Sequence, residues 1–205
     1  MKLLACRSAL AMLLAGFIAC GACAQEISRT FFLVARPGLP DPNFRQTVVL
    51  VHENDPAQFV GVIINRPTDR SFSDLLPGER FRGFTDPIFI GGPVELNGLF
   101  AVFRADRFAG AAIALVPGLY LALHPDAIDS LINSPPARIR FFAGYSGWAP
   151  GQLRGELERG DWLMVDADAD VVFRKDTSSL WQDMLRRASA VRADATMLRA
   201  ASSDR

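Results

Sequence analysis

Residues 144–162 read GYSGWAPGQLRGELERGDW, the most distinctive run of the chain. Aromatic residues alternate with glycines in its first part, and a short helical pattern follows. Pro150 suits the first turn of a helix, and Gly160 is a natural stop. Leu153 and Leu157 stand four residues apart and share one helical face. The stretch therefore predicts a strand–turn–helix corner, whose glycines allow two aromatic side chains to pack closely.

The first 24 residues have the form of an export signal. A basic start is followed by an apolar run over residues 8–19, and Ala22-Cys23-Ala24 has the small-x-small form that a signal peptidase cleaves. A membrane anchor needs roughly 20 apolar residues, and this run is shorter. We therefore predict a signal peptide over residues 1–24, a mature start at Gln25 and no stable transmembrane span after cleavage.

All three cysteines, Cys6, Cys20 and Cys23, lie inside this segment. Neither Cys20 nor Cys23 follows a leucine three places upstream, so a lipoprotein is the weaker alternative to simple cleavage. The predicted mature chain has no cysteine. This excludes disulfides, thiolate nucleophiles and cysteine-based metal sites from it.

The mature chain carries a slight negative charge. Removing Lys2 and Arg7 from the 22 basic residues leaves 20 against 22 acidic ones, a formal net charge of −2. Surfaces that bind nucleic acid normally carry a basic excess, so we predict no nucleic-acid partner. About 180 residues are enough for one domain, which we place over residues 25–190. Residues 191–205 are predicted to form a helical or frayed tail.

Short apolar runs separated by proline and glycine predict a mainly antiparallel sheet. The runs at residues 47–52 and 59–65 are joined by Asn54-Asp55-Pro56, and this short connection predicts an antiparallel hairpin. Further strands are predicted at residues 31–35, 87–90, 99–103, 119–123 and 138–142.

Two short helices are predicted between these strands. Ser71 or Ser73 is placed to cap a single helical turn that contains residues 74–76. Pro125 suits a first helical position, and the helix that it begins is expected to end near Asn133.

The last part of the chain predicts a hairpin and then a long helix. Residues 161–165 and 171–173 have strand character around the DADAD tip at 166–170. From Thr177 or Ser178, apolar residues recur every three or four positions, which is a heptad-like seam. The seam consists of Trp181, Met184, Ala188, Val191, Ala195 and Leu198.

The sequence around Ser146 partly matches the motif of a nucleophile elbow. Residues 144–148 read GYSGW, where G-x-S-x-G would require a second glycine at the tryptophan position. The candidate bases are His52 and His124, with Asp41 or Asp74 to orient the imidazole. The simpler interpretation is that His52 ends a strand and His124 leads into a helix, and the sequence favours it.

The sequence contains no complete motif for a metal or phosphate site. Three aspartates within residues 166–170 imitate the opening of a calcium loop, but Val171 and Thr177 occupy the positions that need glycine and glutamate. Gly91-Gly92-Pro93 offers backbone N–H groups and lacks the Lys-Ser/Thr of a P-loop. We predict no catalytic residue, no metal and no cofactor.

Five runs taken together resemble the YqgE/AlgH family of small bacterial proteins. They are PGLPDPNF from Pro37, GVIINRP from Gly61, GGPV from Gly91, GYSGWAPGQLRGEL from Gly144, and the segment from Phe173 to Trp181. No single run is specific, but the five in series are, and they cover nearly all of residues 31–187. The resemblance implies one compact α+β domain with a mainly antiparallel sheet and helices packed on it.

The resemblance implies little chemistry, because the family has no agreed reaction and some members carry the label of transcriptional regulator. This sequence departs from the family pattern in its export signal and in a more apolar segment over residues 99–123. A periplasmic protein cannot reach a promoter. Export therefore argues against the regulator label.

The leading hypothesis is a periplasmic or secreted, non-catalytic module that binds a protein or a small ligand. Glycine, asparagine, tryptophan and glutamine clustered at strand ends suit a shallow recognition site. The alternatives are a purely structural role for the aromatic motif, a hydrolase that uses Ser146 or His52, and a transcriptional regulator. The candidate surface consists of Asn65, Arg66, Gly91, Gly92, Tyr145, Trp148 and Gln152.

Overall fold

A ten-stranded sheet organises the protein, whose computed structural model describes residues 30–55 and 58–190. The strands are β1 (Thr30–Ala35), β2 (Val48–Asp55), β3 (Gln58–Ile63), β4 (Pro67–Ser71), β5 (Pro87–Ile90), β6 (Val94–Arg104), β7 (Ala112–Val116), β8 (Leu119–Ala122), β9 (Ile139–Trp148) and β10 (Trp162–Asp166). The helices are α1 (Phe72–Leu75), α2 (Pro125–Asn133), α3 (Gln152–Arg159), α4 (Ala169–Val172) and α5, the helical residues 180–190, with a 3₁₀ turn at Glu79–Phe81. The predicted signal peptide and the predicted tail lie outside the described residues.

The predicted α+β fold is confirmed. The strand order is β10-β1-β2-β3-β9-β6-β8-β7, and these neighbours pair in antiparallel fashion. The predicted hairpin of β2 and β3 forms, with His52 opposite Val60. Off this path, β4 pairs with β5, and β5 runs parallel to β9. The result is one curled, mostly antiparallel sheet.

Strand β9 joins the two halves of the sheet. It pairs with β3 through Ser146, Gly147 and Trp148, with β5 through Phe142 and Ala143, and with β6 along most of its length. The GYSGW run is therefore the second half of a ten-residue central strand. The predicted corner follows at once, since α3 begins at Gln152 and ends at Arg159, and its C-cap Gly160 has a left-handed φ of 80°.

Helices cover three apolar clusters on the sheet. Helix α5 covers the first, α2 the second and α3 the third. The heptad-like seam is confirmed at Met184 and Ala188, which are 3% and 2% exposed, while Trp181 is half-buried. The rest of the seam lies outside the described residues. Within the described ranges, no helix combines the length and the apolar character needed to cross a membrane.

The two short helices are confirmed at their predicted places. Helix α1 follows Ser71, whose backbone N–H and hydroxyl both donate to the Asp74 carboxylate, at 2.8 and 2.7 Å. These hydrogen bonds hold the pKa of Asp74 below its ordinary value. Helix α2 begins at Pro125, and its N-cap His124 accepts a hydrogen bond from the Asp126 backbone.

The predicted hairpin around residues 166–170 is wrong. Strand β10 ends at Asp166, and residues 169–172 form helix α4 instead of a returning strand. The aspartates explain the difference, because Asp168 caps α4 by accepting the Asp170 backbone N–H at 3.0 Å. Asp170 in turn forms an ion pair with Arg104 at 3.0 Å. A carboxylate at a cap favours a helix over a hairpin tip.

Strand β7 was not predicted, although AIALV at residues 112–116 is apolar. It pairs with β8 through the tight turn at Pro117-Gly118, which the sequence marked only as a loop. Pro67 ends the β3 segment as expected, but it also begins β4. Proline is tolerated there because it is the first residue of that strand.

Candidate functional site

Gly91, Gly92 and Gly144 allow the segment after β5 to cross β9 in close contact; we call this contact the glycine junction. The Gly91 backbone N–H donates to the Ala143 carbonyl at 2.9 Å. Gly144 has a φ of 71°, and a Cβ added there would lie 2.6 Å from the Gly92 carbonyl oxygen. Both the backbone conformation and the space require glycine at Gly144. The junction consists of backbone groups, and it allows the segment after β5 to pack closely against β9.

Ser146 lies at the same junction and is fully buried. Its hydroxyl donates to the Gly91 carbonyl at 3.0 Å. A nucleophilic serine needs an accessible oxygen whose proton passes to a base. His52, the other residue of the hydrolase hypothesis, has its Nδ1 2.9 Å from the Thr30 hydroxyl, and burial lowers the pKa of its imidazole. This geometry favours a structural role for Ser146.

Trp148 and Gln152 belong to a hydrogen-bonded corner centred on Glu156. The indole N–H groups of Trp148 and Trp162 both donate to the Glu156 carboxylate, each at 2.8 Å. Gln152 donates to the same carboxylate at 2.9 Å and accepts the Ala149 backbone N–H at 3.2 Å. Trp148 is only 4% exposed. The corner fixes α3 against the end of β9.

Asn65 and Arg66 hold the proline-rich loop that precedes β2. The Asn65 amide accepts the Val48 backbone N–H at 2.8 Å and donates to the Gln46 carbonyl at 2.9 Å. Burial lowers the pKa of the Arg66 guanidinium. That guanidinium donates to three carbonyls of the loop, those of Pro42, Asn43 and Arg45. These polar groups are therefore already hydrogen-bonded within the chain.

The predicted surface is divided between two clefts. The backbone around Gly91 contacts both other parts of the surface, since the Ile90 N–H donates to the Arg66 carbonyl and the Gly91 N–H donates to the Ala143 carbonyl, each at 2.9 Å. The side chains separate, because Tyr145 and Trp148 line one cleft, whereas Asn65 and Arg66 line another. The first cleft, of about 490 Å³, is lined by Asn54, Gln58, Phe59, Val60, Val94, Glu95, Phe100, Leu123, Tyr145, Gly147 and Trp148. The second cleft, of about 580 Å³, is lined by Arg45, Gln46, Asn65, Arg66, Pro67, Pro87, Lys175, Asp176, Thr177, Ser178, Trp181 and Gln182.

The first cleft is shaped by a bulge in β6. Between the pairs Val94–Tyr145 and Leu99–Ala143, five steps along β6 match two steps along β9. Glu95 therefore sits on a protruding segment at the rim of the cleft, with a φ of 49° that few non-glycine residues adopt. Among the lining residues, the rings of Phe100 and Tyr145 meet edge to face with centroids 5.3 Å apart.

Sequence reasoning missed most of the first cleft, including Asn54, Gln58, Phe59, Glu95 and Phe100. One local signal was available, because Asn97-Gly98 is a turn dipeptide inside an otherwise strand-like run. It marks the bulge. The convergence of β2, β3, β6 and β9 on one cleft has no local signal.

Arg140 is a further buried charge that the sequence did not single out. It is 8% exposed, and its guanidinium donates to the Val172 carbonyl at 2.5 Å and to the Arg174 carbonyl at 2.9 Å. The guanidinium carbon also lies 4.1 Å from the centroid of the Phe89 ring. Burial lowers the pKa of Arg140 to about 10, so it stays charged at neutral pH. It fastens the segment after α4 to the sheet.

The sequence matches one family over most of its length. The sequence model of the family described as AlgH-like (DUF179) matches residues 32–191. A UPF0301 protein of Myxococcus xanthus (strain DK1622) is 36% identical over 158 residues, which are 75% of this chain and 87% of that protein. A UPF0301 protein of Streptomyces avermitilis is 37% identical over 163 residues, which are 76% of this chain and 83% of that protein.

The fold agrees with a solved member of the same group. The solution structure of the AlgH protein from Pseudomonas aeruginosa superimposes with a TM-score of 0.62 and 27% sequence identity, covering 78% of this chain and 86% of that one. The resemblance predicted from five short runs is thus confirmed by sequence and by structure. This chain belongs to the AlgH-like family.

Proposed function

We propose that this protein is an exported, non-catalytic binding module that takes a small ligand in the first cleft. The observation that carries the proposal is the composition of that cleft: aromatic rings form its walls, and polar side chains stand at its rim. Small-molecule sites are typically concave, of roughly 300–1,000 Å³, with apolar walls and a few polar groups that orient the ligand. The volume of about 490 Å³ falls in this range.

The second cleft is the less suitable site, because several of its polar side chains are already hydrogen-bonded within the chain. Asn65 and Arg66 bind loop carbonyls, and Arg45 donates to the Pro40 carbonyl. The Trp181 indole donates to the Ala35 carbonyl at 2.7 Å. In the first cleft, Asn54, Gln58 and Glu95 are exposed at the rim, where a ligand can reach them.

Export is supported by the first 24 residues, which combine a basic start, an apolar run and a small-x-small site. The test is a fusion of residues 1–30 to a reporter enzyme that is active only outside the cytoplasm. We expect an active reporter, and we expect Leu13→Arg and Leu14→Arg together to abolish its activity by interrupting the apolar run. Activity only from a cytoplasmic reporter would contradict export.

Binding in the first cleft is tested by filling the cleft. Gly147 is exposed and lines the cleft, and a Cβ added there would meet the Tyr145 ring at 3.4 Å, an ordinary contact. Gly147→Val therefore narrows the cleft without removing a native side chain. The matched control is Gly83→Val, because Gly83 is also exposed and has nothing within 4 Å of an added Cβ.

The measurement is ligand-observed NMR of the purified protein with a library of small fragments of mixed charge. We expect a subset of fragments to bind the wild type and the Gly83→Val variant, and to lose about tenfold or more in affinity with Gly147→Val. The chemical shifts of the apolar core report that each variant is folded. If no fragment distinguishes the two variants, the first cleft is not the binding site.

A further inference from the structure

We infer that the ligand of the first cleft is an organic cation, a small molecule in which a protonated or quaternary amine is joined to an apolar group. The inference rests on the proposed function and adds the chemical class of the ligand. Two independent properties of the cleft lead to it, namely its aromatic walls and the charge at its rim.

The aromatic walls attract cations. Four aromatic side chains line the cleft: Phe59, Phe100, Tyr145 and Trp148. The face of an aromatic ring carries a partial negative charge, and ammonium groups bind over such faces within about 6 Å of the ring centroid. Sites that recognise quaternary ammonium groups use several rings in this way. Phe59 and Tyr145 are half-buried, whereas Phe100 and Trp148 are each 4% exposed, so the accessible aromatic surface of the cleft belongs mainly to Phe59 and Tyr145.

The rim carries a single charge. Glu95 is the one charged side chain among the residues that line the cleft, and it is exposed. It forms no ion pair with any residue of the described ranges 30–55 and 58–190. Glu95 follows Val94, which pairs directly with Tyr145, and it lines the same cleft as the four aromatic side chains. A cation over the rings is therefore also within the field of this carboxylate.

An anion does not suit the first cleft, because it would approach Glu95 without a compensating basic side chain in the lining. The second cleft differs, since Arg45, Arg66 and Lys175 all line it. Asn54 and Gln58 supply neutral hydrogen-bonding groups at the rim of the first cleft. They suit a hydroxyl or carbonyl elsewhere on the same cationic ligand.

The test compares three probes that share a phenyl group: benzyltrimethylammonium, benzyl alcohol and phenylacetate. Titration calorimetry of the purified protein is expected to show benzyltrimethylammonium binding about tenfold or more tightly than the other two. Its affinity should fall as the ionic strength rises from about 0.01 to about 0.15 M, since salt screens an exposed charge pair.

The matched variants are Glu95→Gln and Glu158→Gln. Both remove one exposed carboxylate and keep the shape of the side chain, but Glu158 lies on α3 and does not line the cleft. We expect Glu95→Gln to weaken benzyltrimethylammonium binding about five- to tenfold and to abolish most of its salt dependence. Glu158→Gln should change neither.

The outcomes separate the cation inference from the proposed function. If benzyl alcohol or phenylacetate binds as tightly as the cation, and Gly147→Val blocks that binding, the cleft is a ligand site but its ligand is not a cation. If benzyltrimethylammonium binds equally well to Glu95→Gln, the role assigned to Glu95 is wrong and the inference falls with it. If none of the three probes binds while other fragments bind and lose affinity with Gly147→Val, the cation inference is overturned and the proposed function stands. If Gly147→Val has no effect on the binding of any probe or fragment, both proposals are overturned.

Discussion

The two clefts use their polar side chains in different ways. In the second cleft, Asn65 and Arg66 bind the carbonyls of the proline-rich loop, so these polar groups hold the fold together. In the first cleft, Tyr145 follows Gly144 of the glycine junction, and Trp148 donates to Glu156. Its rim groups, such as Glu95, remain exposed. The difference teaches that a cluster of polar residues at strand ends is a candidate site only when its hydrogen bonds are not already made within the chain.

The largest effect that tests this contrast is expected at the glycine junction. Gly144→Ala forces an alanine into a left-handed conformation and places its Cβ 2.6 Å from the Gly92 carbonyl oxygen. We expect a loss of about 3–5 kcal/mol in the free energy of unfolding, measured by urea denaturation.

The control for Gly144 is Gly151→Ala. Gly151 has a similar φ of 82°, and nothing lies within 4 Å of an added Cβ. Only the conformational cost applies there, about 1 kcal/mol. Equal losses at the two positions would mean that the close approach to the Gly92 carbonyl adds no cost at Gly144.

The next largest effect is expected at Glu156. Glu156→Leu leaves the indole N–H groups of Trp148 and Trp162 without their acceptor. We expect about 2–4 kcal/mol of destabilisation, because each unpaired buried donor is costly. Glu156→Gln retains a carbonyl oxygen and should lose less than half as much in the same urea measurement. A Leu variant as stable as the wild type would show that this corner does not hold α3.

A smaller effect is expected in the second cleft. Asn65→Ala removes the acceptor of the Val48 N–H and the donor to the Gln46 carbonyl. Stability should fall by about 1–2 kcal/mol, while binding of benzyltrimethylammonium in the first cleft stays unchanged. Asn65→Asp keeps the acceptor alone and should lie between the wild type and the alanine variant. Loss of ligand binding with stability unchanged would reverse the roles of the two clefts.

The smallest effect is expected in how stability depends on pH, and it involves a carboxylate on α5, next to the second cleft. Hydrogen bonds from Arg174 and then from Ser179 hold the pKa of Asp183 below its ordinary value of 3.8. Because the folded pKa is the lower one, the unfolded chain takes up the proton first as the pH falls. The contribution of Asp183 is therefore complete above the unfolded pKa and is lost as the pH falls through the folded pKa.

Thermal unfolding of the wild type and of Asp183→Asn checks this expectation. The difference in Tm should be constant from about pH 7 to about pH 5 and should shrink below about pH 4. Ser179→Ala removes the weaker donor and should show a reduced version of the same behaviour. A Tm difference that grows on acidification would contradict the assignment.

Much of the fold was predictable because its signals are local. Proline and glycine mark the ends of β1, β2 and β3, and Pro125 and Gly160 mark the limits of α2 and α3. The candidate site was predictable only in part. Trp148 and Tyr145 were singled out from the sequence and both line the first cleft, but the side of the sheet that each side chain faces depends on the register of β9 against β3 and β6.

The sequence by itself determined the family, the strands with clear breakers and the α3 corner, because five short runs and their turn residues act over a few positions each. Tertiary structure alone decided three features. It made β9 the central strand, it paired Asp170 of α4 with Arg104, and it brought Glu95 and Tyr145 to one cleft. In each case the deciding contact joins residues that are far apart in the sequence, so no local pattern predicts it. The GYSGW run is the clearest example, since its strand character was visible in the sequence and the direction of its aromatic side chains was not.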